Sequence, residues 1–283
     1  MVEFGDWRPH TVRSQETVDA TRVAGLAAIL DDGLPAPETG EPLPALWHWV
    51  ALPRWAGSGE LGVDGHPRRG GLLPPVDLPR RMIAGGEVTM YRPLRVGETV
   101  RRESHVTAVQ RKHGRSGPFV LVSVGTRIAG EDGDSALTER LDLVYREAPR
   151  DPASDRLPTD AVPAPPLHRD DDGWMLRTDA TLLMRFSALT ANAHRIHYDW
   201  PYATEVEGYP GLVVHGPLQA VALAETHRLD GGRPPARVGY RANAPLFCGQ
   251  GARLRHEATA DGIRLSLVAD GAGRPGFVVH LHG

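Results

Sequence analysis

The chain has 283 residues, enough for two ordinary domains or one large one. With 41% hydrophobic and 24% charged residues it is globular, and a net charge of −3 leaves no electrostatic footprint for nucleic acid. A single cysteine, Cys248, excludes an internal disulfide framework and a cysteine-rich zinc site. No apolar run reaches membrane-spanning length and no basic-then-apolar leader opens the chain, so a membrane-free, cytoplasmic protein is expected.

Residues 17–30 carry Val18, Val23, Leu26, Ile29 and Leu30 at helical spacing, with Gly33 beyond as a stop. Residues 34–79, crowded with Pro, Gly and Trp, are expected to be irregular. Four β-rich runs follow at 87–94, 99–111, 119–129 and 137–147, separated by turn residues. Residues 149–172 contain six prolines, a density that sustains neither a helix nor a central strand. A linker over 149–175 is therefore expected to separate two units, 1–148 and 176–283. In the second unit, 217–229 reads as a helix of small apolar character. Strands are expected at 237–245, 252–260, 263–269 and 276–282. The pair Tyr91-Arg92-Pro93-Leu94-Arg95-Val96-Gly97 and Tyr240-Arg241 followed by Pro245-Leu246-Phe247-Cys248-Gly249 forms a faint internal repeat. It argues for two copies of one structural unit.

The chemistry is concentrated between Phe186 and Leu218. Asn192, His194, His197 and Asp199 stand one short loop ahead of an apolar run that ends in His215-Gly216-Pro217. Pro217 suits the first helical position, and the first N–H groups of a helix are unpaired at the positive end of its dipole. An imidazole facing such a helix end can move a proton beside a carbonyl whose oxygen gains negative charge. His194, His197 and Asp199 could imitate a metal triad. His-x-x-His pairs are common by accident, however, and the helical zinc spacing is four. No metal and no cofactor are expected.

The segment Phe-Ser-Ala-Leu-Thr-Ala-Asn-Ala-His-Arg-Ile-His-Tyr-Asp resembles the hydratase signature of the MaoC-like, hotdog-fold enoyl-thioester hydratases and dehydratases. Phe186, Leu189, Thr190, Ile196, His197 and Ala203 fall in register with it. Ala191 stands where Gly is expected, Asn192 where the acidic residue is expected, and His194-Arg195 where Asn-Pro is expected. This variant is similar to the branch holding mesaconyl- and itaconyl-CoA hydratases and the mitochondrial-type hydroxyacyl-thioester dehydratases. Leu46-Trp47-His48-Trp49, Leu61-Gly62-Val63-Asp64-Gly65-His66-Pro67 and Leu73-Pro74-Pro75 extend the resemblance upstream.

The resemblance implies an α+β double hotdog, each unit a curved antiparallel sheet around one central helix. It also implies an (R)-type enoyl-CoA hydratase or 3-hydroxyacyl-thioester dehydratase acting on acyl-CoA or acyl-carrier-protein thioesters. Such a protein would form a homo-oligomer, a dimer of double hotdogs. His197 is then the expected acid–base residue and the Gly216 N–H the oxyanion donor. Asn192 positions water, unless another carboxylate such as Asp199 takes over the missing acid. His194, Arg195, Tyr198 and His215 would bind substrate. Arg80, Arg81 and Arg115, in two basic clusters, would hold coenzyme A phosphates by charge-assisted hydrogen bonds. Because the first unit lacks the histidine motif, it is expected to be a degenerate half that completes the tunnel of a catalytic second half. A hotdog thioesterase and a non-catalytic acyl-thioester-binding subunit are the alternatives.

Overall fold

The computed structural model describes residues 4–114, 117–148, 153, 157 and 164–283. The first half begins with strand β1 (Thr11–Thr17) and helix α1 (Ala20–Leu30), then a single helical turn α2 (His48–Ala51). Four long strands follow: β2 (Arg80–Met90), β3 (Thr99–Gly114), β4 (Gly117–Gly130) and β5 (Ser135–Arg146). The second half has the hairpin β6 (Leu167–Asp170) and β7 (Gly173–Leu176), helices α3 (Ala180–Thr190) and α4 (Gly216–Leu229), and strands β8 (Arg237–Ala242), β9 (Ala252–Thr259), β10 (Gly262–Ala269) and β11 (Phe277–His282).

All eleven strands join one antiparallel sheet in the order β1-β3-β4-β5-β2-β8-β11-β10-β9-β7-β6. Each half contributes a contiguous block, and β2 pairs with β8 where the blocks meet. Gly85 and Gly86 make that seam possible. A side chain at Gly85 would collide with the Tyr240 backbone, and one at Gly86 with the Arg140 carbonyl and the Tyr240 ring. The register of β2 against β5 also shifts between Ile83 and Gly85, the local kink that a bulge introduces.

In the second half, α4 lies on β10 and β11 with Leu218 and Ala220 to Leu223 fully buried, as a helix wrapped by its sheet requires. In the first half, helix α1 packs mainly against α3 and α2, and its buried Val23, Leu26, Ile29 and Leu30 share one core with Val88, Val100, Ile128 and Leu137 of β2 to β5. A cavity lies against the rest of that sheet face.

Three departures from the expected elements have local causes. Helix α1 starts at Ala20 rather than at residue 17, because the Asp19 carboxylate accepts from the Thr21 and Arg22 N–H groups and caps it there. The residues before it form β1, an edge strand of polar residues with alternating exposure and no apolar stripe. Residues 167–176 are not linker but a hairpin on the opposite edge, where Gly173 takes a positive φ of 111° at the turn. Most of 149–163 lies outside the described residues.

Candidate active site

The site begins at the end of α3. The Asp179 carboxylate caps its start by accepting from the Leu182 N–H, and Ala191 ends it in the left-handed region at φ 52°. That conformation explains why a glycine is expected here: alanine pays about 1 kcal/mol for it. The reversal sends Asn192 onto the wall of a cavity of about 950 Å3. Asn192 Oδ1 accepts from the His194 N–H at 3.0 Å, which fixes the side chain.

Six lining residues come from the second half: Phe186, Thr190, Ala191, Asn192, Pro217 and Tyr240. The rest of the wall belongs to the first half, including Ile83, Val124, Ile128, Leu141 and Leu143 from the open sheet face. At the mouth Trp55 is 69% exposed, with exposed Arg54 beside it in sequence. Trp49 also lines the cavity and donates to Glu139 at 2.9 Å, whereas Trp47 is core.

His197 lies behind this wall, 6% exposed, in a 3-10 turn over Arg195–His197. Its Nδ1 is 2.7 Å from the Val213 carbonyl. A carbonyl only accepts, so Nδ1 carries the proton and Nε2 keeps its lone pair. Burial, and the neighbouring His194, pull its pKa down to about 3, so the ring is neutral. It stacks on His215 at 3.6 Å between ring centroids. His215 is fully buried and its Nε2 meets Ser187 Oγ at 2.8 Å. Desolvation, with His197 and His194 nearby, holds the His215 ring well below the usual imidazole range.

Gly216 opens α4. A Cβ there would find Phe277 and Ile83 at ordinary contact distances of 3.7 and 3.8 Å, so packing does not demand a glycine. Gly216 itself is not among the residues lining the cavity, whereas Pro217 beside it is.

Several expected binding residues are committed elsewhere. Arg80 is buried in an ion pair with Glu207 at 3.1 Å and stacks over Tyr209, so it is a structural cation rather than a phosphate clamp. Arg195 pairs with Asp199 at 2.8 Å, donates to the Val63 carbonyl and covers the Tyr202 ring. Asp199 also accepts from the Tyr202 N–H, which removes it as a stand-in for the missing acid and as a member of a metal triad. Tyr198 donates to the Ala193 carbonyl from the surface, and His194 sits 3.4 Å from Glu207. Of the residues expected at the coenzyme, only Arg81 reaches the cavity; Arg115 lies outside the described residues, and Arg111, Lys112 and His113 do not line the wall.

The first half adds two groups whose roles the motif did not assign. The loop before β2 docks on the Asn192 loop: the Arg195 N–H donates to the Asp64 carbonyl at 3.0 Å, and Gly65, at φ 85°, presses on Ala193. A side chain at Gly65 would collide with the Ala193 carbonyl. This docking brings His66 to the cavity wall, its ring 4.0 Å from that of His194. His66 Nδ1 meets Asp64 Oδ2 at 3.1 Å. Burial alone would raise the Asp64 pKa, but the hydrogen bond and charge of His66 outweigh it and hold the carboxyl below its usual range. Ligand atoms of Asp64, His66 and His194 lie within 4.8 Å of one another, although Asp64 and His66 already use one donor and one acceptor on each other.

An eleven-stranded sheet of two hotdog blocks, with a polar cluster between a cavity and the N-terminus of the buried α4, defines a double-hotdog enzyme of acyl-thioester chemistry. The model of the family "Hydroxyacyl-thioester dehydratase type 2" matches residues 46–248, and the chain belongs to that family. It is a hydro-lyase that adds water to, or removes water from, an acyl thioester. The chain is 44% identical over 266 residues to the mesaconyl-C(4)-CoA hydratase of Chloroflexus aurantiacus, covering 94% of this chain and 92% of that one. Among solved structures, HtdX of Mycobacterium tuberculosis aligns with a TM-score of 0.67 at 20% identity, over 98% of this chain and all of the other. A second Mycobacterium tuberculosis protein, described as a double hotdog fold, aligns with a TM-score of 0.53 at 17% identity, over 98% and 96%. These two likenesses show the fold. Among the described residues no helix is long and apolar enough to cross a membrane.

Proposed function

We propose that the protein hydrates a short dicarboxylic enoyl-CoA, of the mesaconyl-CoA kind named for its relative from Chloroflexus aurantiacus. The observation that carries this reading is Arg81. It lines the cavity at only 7% exposure, and no carboxylate among the described residues lies within ion-pair distance of its guanidinium. The Tyr145 hydroxyl and the nearby Asp64 carboxylate compensate this buried guanidinium only in part, and an anion brought from outside would stabilise it further.

The position of Arg81 favours an acyl carboxylate over a coenzyme phosphate. Ile83, two residues along β2 and on the same cavity-facing side, touches the space around Gly216. Two strand residues span about 7 Å, a step that a four-carbon diacid bridges and a coenzyme pyrophosphate, far along its pantetheine arm, does not. In a C4 thioester of mesaconate the free carboxylate sits on Cβ, so its grip by Arg81 would also orient the carbon that water attacks. The exposed mouth, with Trp55 and Arg54, is left for the coenzyme.

Within this arrangement the Gly216 N–H receives the thioester oxygen as charge develops there. Asn192, on the cavity wall, holds the attacking water, and the free Nε2 of His197 lies behind it as a second acceptor. Neutral and with Nε2 unprotonated, His197 serves in this reading as a hydrogen-bond acceptor towards the water.

Arg81→Met is expected to lower kcat/KM for mesaconyl-CoA by about 100-fold, within the usual cost of removing one partner of a buried charge pair. Hydration of crotonyl-CoA, which has no second carboxylate, should change less than about threefold. Steady-state assays on both thioesters check this, and equal losses on both would count against the dicarboxylate reading.

A further inference from the structure

Asn192 stands where the family signature carries an acid, and an amide cannot exchange protons usefully. The carboxylate nearest in sequence, Asp199, is consumed by Arg195 and the Tyr202 N–H. His197 and His215 are neutral, buried and absent from the cavity wall. The wall nevertheless carries two imidazoles, both from the other half of the chain: His48, which lies 3.6 Å from Glu139, and His66, whose loop docks on the Asn192 loop.

We propose that His66, oriented by Asp64, is the proton carrier of the reaction and replaces the acid absent at Asn192. Three observations support it together. His66 and Asn192 line the same cavity, and their loops are locked by the Arg195 N–H to Asp64 carbonyl bond and by the fit of Gly65 against Ala193. Asp64 accepts twice from His66, at 3.0 Å from its backbone N–H and at 3.1 Å from Nδ1. That bond places the proton on Nδ1 and leaves Nε2 with a lone pair, the logic by which a carboxylate orients a histidine base. His66 Nε2 has no hydrogen-bond partner among the described residues.

The step balances on one group. Nε2 of His66 takes one proton from the water as its oxygen bonds to Cβ, and the π pair of the Cα–Cβ double bond shifts to the thioester oxygen at Gly216. The imidazolium, which burial disfavours and the Asp64 carboxylate partly offsets, is transient and returns that proton to Cα as the thioester carbonyl re-forms. One water has been added, His66 is neutral again, and no oxidant or reductant is needed. Dehydration runs the same path backwards. The catalytic constellation therefore spans both halves, and the first half is not merely a wall.

This inference rests on the hydratase reading, so the test uses the whole chain with crotonyl-CoA and mesaconyl-CoA. His66→Asn keeps a donor where Nδ1 was, and so keeps the bond to Asp64, but it removes Nε2. We expect kcat at least about 100-fold lower on both thioesters, KM within about threefold and an unchanged melting temperature. In the smaller His66→Ala variant, added imidazole should restore part of the lost turnover. EDTA should leave the wild type unaffected. Near-normal kcat in His66→Asn, a loss that appears only in KM, no rescue of His66→Ala by imidazole, or inactivation by EDTA reversed by a divalent metal would each overturn the proposal while leaving the hydratase reading intact. A wild type inactive on both thioesters would overturn the two together.

Discussion

His197→Ala should lower hydration of an enoyl-CoA by at least about 100-fold, the scale on which a misplaced reactant suppresses a rate. The sequence places this residue on a loop, which suggests that folding would survive its loss untouched. Its structural setting changes that expectation. The side chain is 6% exposed, donates from Nδ1 to the Val213 carbonyl and stacks on His215 just ahead of α4. Alanine removes the donor to a buried carbonyl, so the variant should also lose about 1–3 kcal/mol of stability. His197→Asn separates the two effects, because its amide can still donate to Val213 while Nε2 is gone. Thermal denaturation should show Asn restoring most of the stability that Ala loses, and turnover should stay low in both. An Asn variant with wild-type turnover would mean that Nε2 of His197 never meets the water.

The largest effect on stability is expected at Glu207. Its carboxylate holds Arg80 at 3.1 Å and lies 3.4 Å from His194, with side chains only 4–5% exposed throughout. Glu207→Ala strands the Arg80 guanidinium in the interior, an error that costs about 3–5 kcal/mol. The histidine row should loosen as well, since His194 lies between His66 and His197, with ring centroids at 4.0 and 5.5 Å. Activity should therefore fall alongside stability. Replacing both partners, Arg80→Met with Glu207→Leu, should cost less than Glu207→Ala alone, because no unpaired charge remains. Chemical denaturation of the single and double variants checks the order, and a double variant less stable than Glu207→Ala would refute it.

Much of this was legible in the chain because the signals were local. The strands of both halves have β-rich runs and glycine turns, and α4 has a proline at its second position and a small, apolar face. Strand β1 escaped because Thr11–Thr17 is polar on both faces and gains its place only by pairing with β3. The 167–176 hairpin escaped because the prolines before it dominate the composition. The partner of α1 was likewise unreadable: the helix has the periodicity of a core helix, but nothing in that periodicity says that it packs on α3.

The site divides in the same way. The Asn192 to His197 cluster and the Gly216 helix start are contiguous motifs, which is why they stand out in the sequence. Arg80 and Arg81 were indistinguishable as neighbours in sequence, yet strand alternation sends one to Glu207 and the other to the cavity. His66 stood in plain view in Leu61-Gly62-Val63-Asp64-Gly65-His66-Pro67, but its meeting with Asn192 depends on a glycine pressed against a loop from the other half. Only tertiary docking makes that contact.

The central claim is that this chain moves water across the double bond of an acyl thioester and leaves the thioester intact. Mesaconyl-CoA mixed with the purified full-length protein, followed by loss of enoyl-thioester absorbance and by free thiol in the same cuvette, tests it most directly. Absorbance should fall to an equilibrium value with no thiol released. Thiol appearing in step with the absorbance change would make the protein a thioesterase, and an unchanged absorbance with mesaconyl-CoA and crotonyl-CoA alike would contradict the account outright.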